Sequence, residues 1–137
     1  MKLKLLIPLM LILVAALTSS CTEKDSSPTF SKWTKVRTNS MGINFYIDFE
    51  RIRKVDGYTY YWFLSDYPKP SPNGYLSVKT YKQADCKLFR VKILRFSGYK
   101  DPMGNGIEKP FDTHDEEWDS PISGGPIAND LKKVCSK

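Results

Sequence analysis

The chain has 137 residues, with 21 Lys and Arg against 15 Asp and Glu and a formal net charge of +6. Its length suffices for one domain with its own core. The mild basicity favours loose contact with anionic surfaces and lacks the concentrated charge of a nucleic-acid binder.

Lys2 and Lys4 precede an apolar run from Leu5 to Leu17. As a helix this run reaches only about 20 Å, short of the roughly 30 Å hydrocarbon core of a bilayer. It has instead the length of a signal-peptide core, and the small residues after it suit a cleavage site. The segment Leu17-Thr18-Ser19-Ser20-Cys21 resembles the lipobox of bacterial lipoproteins. Thr18 stands where a large aliphatic residue is usual, with Leu17 one place further back. The resemblance implies that residues 1–20 are a lipoprotein signal, that the Cys21 thiol takes a diacylglyceryl group, and that the freed amine is acylated. A single chain gives only reversible attachment, so a multiply acylated terminus is what keeps such a protein in the membrane. Thr22, rather than the Asp that commonly retains Gram-negative lipoproteins at the inner membrane, follows the cysteine. The resemblance therefore points to the outer membrane and leaves the face of that membrane open.

Without residues 1–20 the chain keeps 117 residues, with 19 basic and 15 acidic side chains. Once Cys21 is committed to lipid, Cys86 and Cys135 are an even remainder in an oxidising compartment, which implies one disulfide. It closes a loop of about 50 residues, for which the chain-entropy model gives about 4 kcal/mol as an upper figure. Two cysteines without C-x-x-C spacing make a poor metal site.

Residues 21–31 are rich in Ser, Thr and Lys and read as a flexible tether. A domain over 32–137 follows, opening at Trp33. Ile43, Phe45, Ile47 and Phe49 alternate with polar residues and predict a strand. Asp56-Gly57 marks a turn that launches Tyr58-Thr59-Tyr60-Tyr61-Trp62-Phe63-Leu64, an aromatic block with large side chains on both faces. That pattern predicts a central strand. Pro68, Pro70 and Pro72, then Asn73-Gly74, require a loop. Tyr75 to Lys82 alternates again, with Leu76, Val78 and Thr80 on one face. Leu88 to Phe96 predicts a further strand. Strict alternation puts Arg90 and Lys92 on one of its faces and Arg95 on the other, which splits the basic run Lys87, Arg90, Lys92, Arg95 and Lys100. Gly124-Gly125-Pro126 is a helix-entry signal, after which Ile127, Leu131 and Val134 recur at helical spacing. The expected fold class is α+β: an antiparallel sheet meander with a C-terminal α-helix tethered to it by the disulfide.

Trp33, Tyr46-Ile47-Asp48 before Ile52, Trp62-Phe63-Leu64-Ser65-Asp66-Tyr67, and Tyr75-Leu76-Ser77-Val78-Lys79 before Asp85-Cys86 form an ordered set. Tyr99, Met103-Gly104-Asn105-Gly106, Trp118, Pro121, Ser123 and Cys135 continue it. Over residues 33–135 this set resembles the surface-adhesin E family of small bacterial lipoproteins. The resemblance implies the same sheet-and-helix fold held by a disulfide. It also implies adhesion to host extracellular-matrix proteins, although none of these residues is itself an adhesion motif.

Catalysis finds little footing. There is one His, no G-x-S-x-G elbow, and no thiol left after pairing. Asp112-Thr113-His114-Asp115-Glu116-Glu117-Trp118-Asp119 carries five carboxylates and the His, yet lacks the spacing of a calcium loop and reads as a solvated acidic loop. No metal or other cofactor is expected. Tyr58, Tyr60, Tyr61, Trp62, Tyr67, Tyr75 and Tyr81 crowd two strands and the loop between them, and such rings serve as interface anchors. The expected partner surface is Tyr67, Tyr75 and Trp62 with Arg90 and Lys92. Two functions follow: a surface-displayed adhesin, or a periplasm-facing envelope lipoprotein with a structural or accessory role. Expected partners are the membrane, through the lipid, and host matrix proteins, with no nucleic acid. Exposed strand edges leave a homodimer open.

Overall fold

The computed structural model describes residues 31–111 and 117–137. The signal over 1–20, Cys21 and nearly all of the tether lie outside the described residues, as do Asp112 to Glu116 with His114.

Seven strands and one helix form in chain order: β1 (Thr34–Thr38), β2 (Asn44–Ile47), β3 (Arg53–Val55), β4 (Tyr58–Asp66), β5 (Ser77–Asp85), β6 (Arg90–Tyr99), β7 (Glu108–Phe111) and α1 (Pro126–Cys135). The strands make one antiparallel sheet in the order β1-β2-β4-β5-β6-β7, and β3 also pairs with β4. The aromatic block is central, as its two large faces require. β2 pairs with its second half and β3 with its first, both on the edge away from β5. A single 3-10 turn, Phe49–Arg51, separates them, capped by Asp48, whose side chain accepts from the Arg51 N–H at 3.2 Å. The β3–β4 hairpin turns on Asp56-Gly57, both at positive φ (50° and 82°), the two-residue turn whose twist suits antiparallel strands.

One face of the sheet lies against α1. Ile47, Tyr61, Phe63, Ala84 and Val91 meet Leu131 and Val134 there, all buried. Full burial of each aliphatic side chain contributes about 1.5–3 kcal/mol. The predicted helix starts at Pro126, but its buried stripe is Ala128, Leu131 and Val134. Ile127 is 42% exposed, because it sits in the first turn, at the rim of the contact. Besides the Lys133 ammonium, which donates to the Val36 carbonyl on β1 at 3.1 Å, two further links fasten the helix. Cys86, just past β5, joins Cys135 in the last turn, with Cα atoms 5.7 Å apart. Arg37 on β1 donates from Nε to Asp130 Oδ2 at 2.8 Å and lies flat on the Phe45 ring at 3.6 Å.

The strand over Leu88 to Phe96 departs from its expected geometry in an informative way. β6 runs Arg90 to Tyr99, and its register with β5 shifts: Lys82 faces Ile93 while Tyr81 faces Arg95. Leu94 is thus the extra residue of a β-bulge, which reverses the alternation beyond it. Arg95 thereby joins the face of Arg90 and Lys92, and Phe96 moves to the face of Val91. The basic run is not split between faces at these three positions. No Gly or Pro marks the bulge, so alternation alone missed it.

Replacing both Cys86 and Cys135 by Ser should lower unfolding stability in urea by about 2–4 kcal/mol while leaving the far-ultraviolet spectrum of the sheet in place. An unchanged urea midpoint would show that the helix docks without the bridge.

Candidate functional site

The sheet face opposite α1 carries rings and cations in register. Trp62 on β4 faces Tyr81 on β5, which faces Arg95 on β6. Cross-strand partners share a face, so the three side chains form one row. The Trp62 and Tyr81 rings lie 4.8 Å apart by centroid, and Tyr60 adds a third ring 6.2 Å from Tyr81. Two guanidinium groups flank Trp62: Arg95 at 5.0 Å and Arg51 at 5.8 Å from the ring centroid. Arg51 also lies 6.0 Å from Trp33.

A second unit of the same kind stands at the end of the face where β5 turns into β6. The isolated bridge between Val91 and Asp119 draws the chain after β7 back beside β6. Trp118 comes to stack on Tyr58 at 5.7 Å, with Arg90 at 4.4 Å and Lys92 at 5.0 Å over its ring. These rings are half-buried rather than covered.

The cations of this face divide into two kinds. Arg51 pairs with buried Asp48 at 2.5 Å and Arg90 with Asp85 at 3.1 Å. The Leu88 N–H first, and then the Arg90 guanidinium, hold the Asp85 carboxyl below the usual carboxylate range. Lys92 and Arg95 meet no carboxylate among the described residues; their ring contacts leave the positive charge unneutralised. Lys79 reaches the Tyr99 ring at 4.5 Å, and its pKa is lowered by burial and then by the charge of Arg51. The far end of the face is occupied by the short turn Pro102–Gly104. There the Met103 N–H donates to Asp66 at 2.7 Å and the Gly104 N–H to Ser77 at 2.8 Å.

Of the five residues expected to form the partner surface, Trp62, Arg90 and Lys92 fall on this face together. Tyr67 and Tyr75 do not join them. Tyr67 is half-buried just past the end of β4, and burial raises its hydroxyl pKa. Tyr75 is only 5% exposed and packs edge-on to Phe111 at 5.3 Å. A Cβ at Gly98 would come within 2.7 Å of its ring, so Gly98 exists to seat it. Tyr75 is therefore a packing residue, and its removal would disturb the fold. The proline-rich loop holds this ring inward rather than presenting it. Arg95, Arg51, Tyr81 and Trp118 were not placed on the expected partner surface, although Tyr81 belongs to the aromatic cluster and Arg95 to the basic run noted in the sequence. Arg95 was hidden by the bulge, and Trp118 by the acidic residues around it.

The helix side has its own charged group. Lys82 on β5 places its ammonium 4.0 Å from the Phe63 ring centroid and lines a cleft of about 400 Å³ with Val91, Ile93 and Ile127. Burial pushes its pKa down to about 8; Asp130 and Asp119 oppose the shift, and Arg37 adds to it. Tyr61 nearby is raised, by burial first and then by the Asp130 charge.

A single antiparallel sheet with a helix fastened over one side and rings and cations on the other defines a small binding domain. The chain belongs to the surface-adhesin protein E family, whose model matches residues 33–136. Among solved structures it is similar to crystal form II of Haemophilus influenzae protein E, at 20% identity and a TM-score of 0.60, over 74% of this chain and 87% of that one. Protein E from non-typeable Haemophilus influenzae matches at 20% identity and a TM-score of 0.57, over 74% and 75% of the two chains. At that identity the likeness concerns the fold. No curated protein matches in sequence.

The lowered pKa of Lys82 has a testable sign. Between pH 8 and its ordinary 10.5 the unfolded chain binds more protons than the folded one, so stability contributed at this site rises with pH. Urea midpoints of the parent and Lys82→Met should therefore converge in the parent's favour from pH 7 to 9.5, below the range where Tyr61 titrates. A difference independent of pH would contradict this.

Proposed function

We propose that the chain is a non-enzymatic surface adhesin, anchored to the outer membrane through lipidated Cys21, whose open sheet face engages host extracellular-matrix proteins. The observation that carries the reading is the face opposite α1: half-buried Trp62 and Trp118, each beside cations, with Tyr81 between Trp62 and Arg95 in the cross-strand row. Rings with one polar end and a large apolar body, together with Arg, are the residue types that dominate protein interfaces. Family membership supports adhesion as the use of that face. Ten Cα-to-Cα steps separate Cys21 from Ser31 and span at most about 35 Å when extended. That is reach enough to hold the domain clear of the lipid headgroups.

Whole cells displaying the chain test both halves of the reading. Protease treatment of intact cells should remove the domain and abolish adhesion to immobilised matrix. Trp62→Ala with Trp118→Ala should weaken adhesion at least tenfold, with surface display unchanged. A domain protected from protease in intact cells would instead make the chain a periplasm-facing envelope lipoprotein.

A further inference from the structure

The open face repeats one arrangement. Trp62 has Arg51 and Arg95 at 5.8 and 5.0 Å from its ring centroid, and Trp118 has Arg90 and Lys92 at 4.4 and 5.0 Å. In each unit one cation is matched by a carboxylate, Asp48 or Asp85, and the other meets none among the described residues. The unmatched pair, Arg95 and Lys92, is held against neutral rings. A ring contact orients a cation without cancelling its charge, and a stacked guanidinium keeps its N–H edges free for an oxyanion. Each unit is therefore a pre-organised anion site beside a flat apolar surface.

The topology limits what can lie there. β4 and β5 are paired on both sides, and the outer edge of β6 is taken by β7 at Phe96–Tyr99 and by the Val91–Asp119 bridge, so among the described residues only the short stretch Lys92–Arg95 is left as an edge for an added peptide. Away from the cleft that Lys92 and Trp118 border, the face presents the rings of Trp62, Tyr81 and Tyr60 side by side. An extended polymer that carries regularly spaced oxyanions, and C–H faces to lay against indole and phenol rings, fits both units at once.

We propose that this face binds a sulfated polysaccharide of the glycosaminoglycan class. Arg95 and Lys92 take the sulfate groups, and Trp62 and Trp118 take the sugar faces. The proposal rests on the reading of the open face as the docking surface, and names the chemistry that it recognises. Sulfate esters suit the site because they stay charged at every physiological pH and present several oxygens to a guanidinium fork. Binding is then electrostatic in part and salt-dependent, as for other polyanions.

The test uses the full chain extracted in non-ionic detergent, with heparin, hyaluronan and poly-glutamate as probes. Hyaluronan is an unsulfated sugar polyanion and poly-glutamate an acidic peptide. Heparin should bind well ahead of both. Lys92→Ala with Arg95→Ala should weaken heparin binding about tenfold at physiological salt. It should also flatten the plot of log affinity against log salt by about two. Lys69→Ala with Lys109→Ala, two exposed lysines away from the face, should leave that slope unchanged. Equal flattening by the control pair, or poly-glutamate binding as tightly as heparin, overturns the proposal. If matrix protein binds through Trp62 and Trp118 while heparin does not bind, the glycan proposal falls and the adhesin reading stands. If neither binds, both fall.

Discussion

The structure depends on how one short helix is held against one side of a wide sheet. A helix of ten residues is about 15 Å long, while six strands side by side span about 24 Å. α1 can therefore seal only part of one face, and it is fastened there at different points along its length. Cys86–Cys135 ties its last turn to the end of β5, and Arg37–Asp130 ties its middle to β1. Asp130 is 4% exposed, so the guanidinium of Arg37 offsets a buried charge that would otherwise cost several kcal/mol. The ion pair is a positional requirement more than a source of stability, since both charges had to leave water to form it.

The opposite face has to be stable in water without a covering layer, and its composition answers that demand. Apolar side chains alone would make an exposed patch prone to association. Tyr58, Tyr60, Trp62 and Tyr81 instead supply rings with polar edges, and Arg51, Arg90, Lys92 and Arg95 lie across them. Each cation covers apolar ring area, and Arg51 and Arg90 are also held by carboxylates, Asp48 and Asp85. The same arrangement that makes the face tolerable in water makes it suitable for an anionic partner. Stability and recognition thus draw on the same side chains here, while the packing residues Tyr75, Leu131 and Val134 serve the fold alone.

Much of this was legible in the residues. Period-two alternation located β2, β5 and β6, the aromatic block located β4, Pro126 located the helix start, and cysteine arithmetic paired Cys86 with Cys135. The short edge strands were not legible. β1, β3 and β7 each hold a single Val or Phe among charged residues, Thr and Pro, so no apolar alternation marks them. The face of Arg95 was misread because a bulge at Leu94 needs no special residue type to form. Tyr75 was misread because aromatic character alone does not say whether a ring points outward. Its burial follows from a long-range contact with Gly98, 23 positions away in sequence, that no local pattern encodes.

The central claim is that α1 closes one face and leaves the other for the partner. Hydroxyl-radical footprinting of the full chain, with and without a soluble matrix extract, examines both faces at once. The account predicts that Trp62, Tyr81 and Trp118 lose reactivity when the extract is present, while Phe45 and Ile127 on the helix side do not change. Protection confined to the helix side, with Trp62 and Trp118 as reactive as before, would contradict it.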